Sequence, residues 1–195
     1  VKYRKSVTVQ GHCFGKVLNR YVSLHKRGER MNQRVLSMLV DNTSGVLSRV
    51  AGLFSRRGYN IDSLTVGVTA DPRYSRMTVV VNGDEQILDQ IEKQVRKLVD
   101  VADVKTLKPG DSVNRELIMV KLRADAKDRQ GINAICDIFR AKVVDVAKSS
   151  MIIELTGDQG KLSAFLELIR DYEILELART GMTGLSRGAD DVRYL

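Results

Sequence analysis

Histidine is nearly missing from this sequence. Its two copies, His12 and His25, both fall within the first 30 residues. From residue 31 onward the chain therefore has no histidine general base and no Ser-His-Asp or Cys-His pair. Cysteine is equally scarce, with Cys13 and Cys136 only. Two cysteines so far apart suggest no disulfide framework, and the body lacks the ligands of a His or Cys zinc site. A reducing, cytoplasmic setting is expected. Cys136 sits at an apolar helical position and reads as a small core residue. No segment approaches the roughly 18 to 20 consecutive apolar residues of a membrane span. Aromatic residues make up 5 % of the chain, too few for a platform of stacked bases.

The 195 residues are 43 % hydrophobic, enough for one ordinary domain or two small ones. The net charge of +8 invites a nucleic-acid reading, but its distribution argues against one. Residues 1–30 hold eight Lys or Arg and one Glu, hence +7; the remainder holds 24 basic and 23 acidic residues, hence +1. The basicity belongs to a leader and the body is nearly neutral. That leader has no continuous apolar core of a secretory signal. Met31 opens a better organised sequence. Residues 1–30 are thus either an extension outside the working protein or a genuine basic arm, and their acid-poor composition is the main support for a transit peptide.

Two copies of one pattern follow. RVLSMLV, residues 34–40, reads as a strand. A helix over 45–57 carries the stripe Val46, Leu47, Val50, Leu53, Phe54 and ends at Gly58. Residues 61–69 and 77–81 read as strands around the turn ADPRYS. Ile87, Leu88, Ile91, Val95 and Leu98 stripe a second helix, and 99–108 gives a fourth strand. Pro109-Gly110-Asp111-Ser112 is the best linker in the chain. Beyond it come a strand over 117–122, a helix with Ile132, Ile135, Cys136 and Phe139, and strands over 143–146 and 151–155. A helix with Leu162, Phe165, Leu166 and Ile169 and a last clear strand over 174–178 complete the second copy. The expected architecture is α+β, with two ferredoxin-like βαββαβ domains over 31–108 and 109–195.

The corner DNTSGVLSRV, residues 41–50, joins a strand directly to a helix. The first helical N–H groups have no partner within the helix, and the helix dipole adds positive character there. The N–H groups of residues 45–47 can take a carboxylate. Asn42 offers donors and an acceptor. A symmetric dimer would bring this corner against Asn60, in the turn Gly58-Tyr59-Asn60-Ile61-Asp62, of a second copy. The plainer alternative is that Thr43 or Ser44 caps the helix, Asn42 makes an Asx turn and Asn60 is a turn residue. Gly157–Lys161 has the look of a phosphate loop but lacks its spacing, and reads better as a helix-opening turn. The pairs Arg56-Arg57 and Arg73/Arg76 read as solvated surface, and Asp190-Asp191 as a terminal acidic tail.

The run MNQRVLSMLVDNTSGVLSRVAGLFSRRGYNIDSLTVG, residues 31–67, closely resembles the start of the regulatory small subunit of acetolactate synthase (acetohydroxyacid synthase). The resemblance continues through SRMTVVV, QIEKQVRKLVDV, RELIMVK, GKLSAFLELIRDY, ARTG and GLSRG, and covers essentially all of 31–193. It implies an N-terminal ACT domain followed by a C-terminal ACT-like domain. It implies that valine binds at an interface between two ACT domains. The contacting positions would be Asn42, Gly45, Val46 and Leu47 of one subunit with Asn60 and Ile61 of the other. It implies partners: a second copy or a larger assembly, and a catalytic large subunit that uses thiamine diphosphate, Mg²⁺ and FAD. This chain itself would carry no cofactor, metal or catalytic residue, and would work in bacterial or archaeal cytoplasm without nucleic acid or membrane. Valine is small, so a Kd of roughly micromolar to submillimolar is expected. Leucine and isoleucine differ from it by about one methylene, worth roughly 1–3 kcal/mol, so partial sensitivity to them is expected. The competing readings are a free-standing ACT-domain amino-acid sensor and a nucleic-acid-binding module led by the basic arm.

Overall fold

The computed structural model describes residues 32–189; the basic leader and Asp190-Asp191 lie outside them. The element order is β1 (Asn32–Asp41), α1 (Val46–Arg56), β2 (Ser63–Val68), β3 (Tyr74–Gly83), α2 (Glu85–Val95), β4 (Val101–Thr106), then β5 (Ser112–Arg123), α3 (Arg129–Phe139), β6 (Lys142–Val146), β7 (Ser150–Gly157), α4 (Gln159–Leu168), β8 (Ile174–Arg179) and β9 (Thr183–Ser186). The first sheet has the order β2-β3-β1-β4 and the second β6-β7-β5-β8, with β9 paired to β5. All pairings are antiparallel. Each half is a βαββαβ unit, so the expected α+β, ferredoxin-like architecture holds.

The helices form because their apolar residues recur on one face. Val46, Val50 and Phe54 of α1 are buried, as are Leu88, Ile91 and Val95 of α2. These pack on Leu36, Met38, Met77 and Val79 from one face of the first sheet. The second core is built in the same way from Ile118, Val120 and Leu122 of β5, Ile132 and Cys136 of α3, and Leu162 and Phe165 of α4. Each fully buried Leu, Ile or Phe contributes about 1.5–3 kcal/mol relative to exposure. Asp84 and Asp158 start α2 and α4 by accepting from the N–H groups of Ile87 and Lys161, both at 2.8 Å. Residues 157–161 are therefore the expected helix-opening turn. The α1 helix ends where predicted, with Gly58 left-handed at φ 67°.

Every residue from Val35 to Val40 is buried, so β1 is covered on both faces. The face turned from the helices meets the second unit. Val35 and Val80 pack there with Leu107 and Met182. The side chains of β2 complete the join: Ser63 Oγ accepts from the Met182 N–H at 2.8 Å, and Thr65 Oγ1 donates to the Met182 carbonyl at 2.9 Å.

Two features differ from the sequence reading. Ser112, expected in the linker, opens β5, whose first four residues pair with β9. And residues 174–178 are not the last strand, because Thr183–Ser186 adds β9. That strand contains Gly184 and an exposed Leu185, so it has no apolar alternation; pairing with distant Ser112–Arg115 creates it.

Candidate functional site

The corner between β1 and α1 is built by backbone geometry. Gly45 occupies the N-cap position of α1 with φ 86°, a left-handed conformation that disfavours any residue with a Cβ. The expectation that Thr43 or Ser44 caps the helix is therefore corrected: no side chain caps α1. The left-handed glycine turns the chain into the helix by itself, so the first N–H groups keep no side-chain acceptor. Val46 is buried in the core, so only its backbone can face the corner, whereas Leu47 is 45 % exposed.

Asn42 does not make a local Asx turn either. Its Nδ2 donates to the Pro72 carbonyl at 2.9 Å and its Oδ1 accepts from Ser75 Oγ at 3.1 Å. Its backbone N–H donates to the Arg73 carbonyl at 2.7 Å. The amide is thus braced against the β2–β3 turn, with one Nδ2 hydrogen left over. This bracing follows from the register of β1 on β3, which sets Asp41 opposite Tyr74.

Arg49 is a residue the sequence reading missed here. One turn into α1, its Nε and Nη2 grip the two oxygens of Asp100 at 2.6 and 2.8 Å. The guanidinium hydrogen bonds hold the Asp100 carboxyl below the usual carboxylate range, and the same bonds raise Arg49 above its ordinary value. Arg49 Nη1 lies 3.0 Å from where a Cβ on Gly45 would stand. The only sequence signal for this pair was an arginine four residues after the glycine; Asp100 arrives from the far end of the unit.

Asn60 and Ile61 precede β2. Asn60 Nδ2 donates to Asp62 Oδ1 at 2.7 Å, and Asp62 in turn accepts from Asn82 at 2.6 Å. Within one chain the two halves of the expected site stand apart. The corner lies level with Ser75, which pairs with Val40 and Val68, while the Asp62 N–H bonds the Val80 carbonyl five positions along β3. At about 3.4 Å per residue that is roughly 17 Å, and Asn42 and Asn60 lie further out still. Asn42, Gly45, Val46 and Leu47 are brought together; Asn60 and Ile61 are not brought to them.

The edge strand β2 spans this gap. It pairs only with β3, and its outer backbone edge has no strand partner among the described residues. Val66 and Val68, on its helix-side face, are 42 % and 61 % exposed.

Comparison with known proteins bears on this geometry. Residues 36–103 match the family described as an AHAS small subunit-like ACT domain, and residues 115–188 match the family described as the small subunit of acetolactate synthase. The chain is 52 % identical over 157 residues to the acetolactate synthase isozyme 3 small subunit of Escherichia coli K12, covering 80 % of this chain and 96 % of that one. The chain belongs to the acetolactate synthase small-subunit family. A probable acetolactate synthase small subunit from Methanothermobacter thermautotrophicus is 49 % identical over 156 residues, covering 80 % and 93 %. The crystal structure of the small subunit from Thermotoga maritima superposes with a TM-score of 0.76 at 42 % identity, over 82 % of this chain and 99 % of that one. In this small-subunit chain, no group of His, Cys, Asp or Glu able to hold a metal occurs among the described residues. No helix among them is long and apolar enough to cross a membrane.

Proposed function

We propose that this chain is a regulatory subunit that senses valine at a seam between two of its own copies. It thereby confers feedback inhibition on a catalytic large subunit, which it also activates. The observation that carries the reading is the free edge of β2, with the Asn42–Leu47 corner level with one end and the Asn60–Ile61 turn at the other. Two-fold antiparallel pairing of β2 with β2 of a second copy interchanges those ends. The corner of one copy then meets the turn of its partner. The exposed faces of Val66, Val68 and Leu47 are apolar surface that such pairing would bury, and an unpaired edge with an apolar flank is otherwise a liability.

In this arrangement the valine carboxylate sits on the N–H groups at the start of α1, and the remaining Asn42 hydrogen and the Asn60 amide oxygen fix its polar end. Leu47 and Ile61 take the isopropyl group. Valine acts only through a preference for one quaternary arrangement over another. The β2–Met182 hydrogen bonds give the seam a direct mechanical link to the second unit. Catalysis, with thiamine diphosphate, Mg²⁺ and FAD, belongs to the large subunit.

The test is reconstitution with the large subunit. Asn42→Ala and Asn60→Ala are each expected to remove valine inhibition while activation of the enzyme persists. Unchanged valine inhibition in both variants refutes the site; no activation by the wild-type chain refutes the regulatory role itself.

A further inference from the structure

A groove between the two units has no part in the reading above. It encloses about 430 Å³ and is bounded by Thr65 and Gly67 of β2 on one side and by Arg115, Thr156 and Thr180 on the other. Arg76 lines it from the first sheet. In the register Arg76 stands between Leu39 and Gly67, on the face turned from the helices. A Cβ on Gly67 would meet nothing within 4 Å. The space beside Arg76 stays open because its neighbour on the edge strand has no side chain.

Arg76 is partly buried and donates from Nη1 to Ser37 Oγ at 3.1 Å. It has no ion-pair partner among the described residues. Of the other partly buried arginines, Arg129 donates from Nη2 to the Ala147 and Lys148 carbonyls, whereas Arg34 and Arg179 face carboxylates. Arg34, 12 % exposed, faces Glu85, Asp89 and Glu92. Arg179, 21 % exposed, forks onto Glu116 at 2.7 and 2.8 Å. A guanidinium taken partly out of water without a counter-ion is costly, so the arrangement at Arg76 calls for an anion. Glu116 is the carboxylate bounding the groove, and both its oxygens are already held by Arg179. Arg115, exposed at the groove wall, adds a second positive charge with no ion-pair partner among the described residues. Thr156 and Thr183 also line the groove beside the apolar Val66, Val68 and Leu117, whereas the Thr65 and Thr180 hydroxyls are already given to backbone carbonyls. The volume falls within the range of small-ligand sites, roughly 300–1,000 Å³.

We propose that this groove is a second ligand site, taking a small metabolite through a carboxylate or phosphate oxyanion held between Arg76 and Arg115. The planar forks of two arginines match such oxyanions, and a groove of this volume suits a small molecule better than an acidic peptide. The site borders the β2 seam through Val66, Gly67 and Val68, but it holds its anion on Arg76 and Arg115 and does not depend on valine.

The experiment uses the full chain without valine, with inorganic phosphate and malonate as probes and sodium chloride at matched ionic strength as the control. Thermal stabilisation and titration calorimetry are the readouts. At least one probe is expected to stabilise the wild type saturably beyond chloride. Arg115→Gln, whose side chain is exposed and leaves the fold intact, is expected to raise the half-saturating concentration by about tenfold, as is Arg76→Gln. Gly67→Leu, which fills the space beside Arg76, is expected to abolish the effect. Arg73→Gln, whose guanidinium is paired with Asp71 on the far turn, and Asn42→Ala, which disables the valine corner, should leave it unchanged. Wild-type behaviour indistinguishable from chloride with both probes overturns the proposal. So does wild-type binding in both Arg115→Gln and Gly67→Leu, or an equal loss in Arg73→Gln.

Discussion

Gly45 and Gly52 lie seven residues apart around the same helix, and replacing each with alanine should move stability in opposite directions. At residue 45 the backbone is left-handed at φ 86°. An L-residue there costs about 1–2 kcal/mol. The new Cβ would also stand 3.0 Å from Arg49 Nη1, so the guanidinium must shift and its fork on Asp100 is disturbed. At residue 52 the glycine is inside α1, its φ is ordinary, and the nearest heavy atom to an added Cβ is Arg56 Nη2 at 3.8 Å. Alanine there gains about 0.5–1 kcal/mol from helix propensity. The two variants have identical composition, yet they should differ by about 2 kcal/mol. For a chain of this length that separates their melting temperatures by roughly 4–8 °C. Urea and thermal unfolding of both purified variants measure the difference directly. The same pair should separate function: Gly52→Ala keeps valine inhibition, and Gly45→Ala loses it. If Gly45→Ala proves as stable as Gly52→Ala, the left-handed corner is wrong and the site built on it fails.

Burial alone would raise the Glu92 carboxyl; the hydrogen bonds from Thr106 and Arg96 and the charges of Arg96 and Arg34 outweigh it, so it lies below its ordinary value of 4.5. A depressed carboxylate contributes stability that is complete above about pH 4.5 and lost as pH falls further; Glu92→Gln should therefore melt lower at neutral pH and show a shallower loss in acid. Phe165 is fully buried with its ring edge-on to Phe139 at 5.5 Å between centroids, and Phe165→Ala should cost about 3–5 kcal/mol in urea unfolding. Burial, with the Asp137 charge, pushes the Cys136 thiol up, and the residue is 3 % exposed. In a Cys13→Ser background, Cys136 should react with a thiol reagent slowly when native and quickly in urea; equal rates would contradict its place in the core.

The sequence made the helices legible because each buries a single stripe: Val46, Val50 and Phe54 were readable as one face before any partner was known. The repeated βαββαβ order followed from those stripes and from the apolar runs between them. Strand limits were harder to read. Tyr74, Ser75 and Arg76 carry no strand pattern of their own, yet they join β3 because Asp41, Val40 and Leu39 lie opposite them. Residues 183–186 became a strand through a partner about 70 positions earlier, which no local periodicity could signal. At the site, Asn42 and Gly45 were readable as a corner motif. What braces them was not: Pro72 and Ser75 come from the next hairpin, and Asp100 from the turn that leads into β4. The groove at Arg76 was hidden for a related reason. Its arginine reads as solvated surface until the second unit folds over the first.

The central claim is that each valine site is shared between two copies, and a mixed dimer tests it most directly. Chains carrying Asn42→Ala and chains carrying Asn60→Ala should each fail to bind valine alone. In a mixed dimer of the two, one of the two valine sites holds both defects and the other holds none, so calorimetry should recover one valine per mixed dimer at wild-type affinity. No recovery on mixing, with dimer exchange verified, would contradict a site built from two chains.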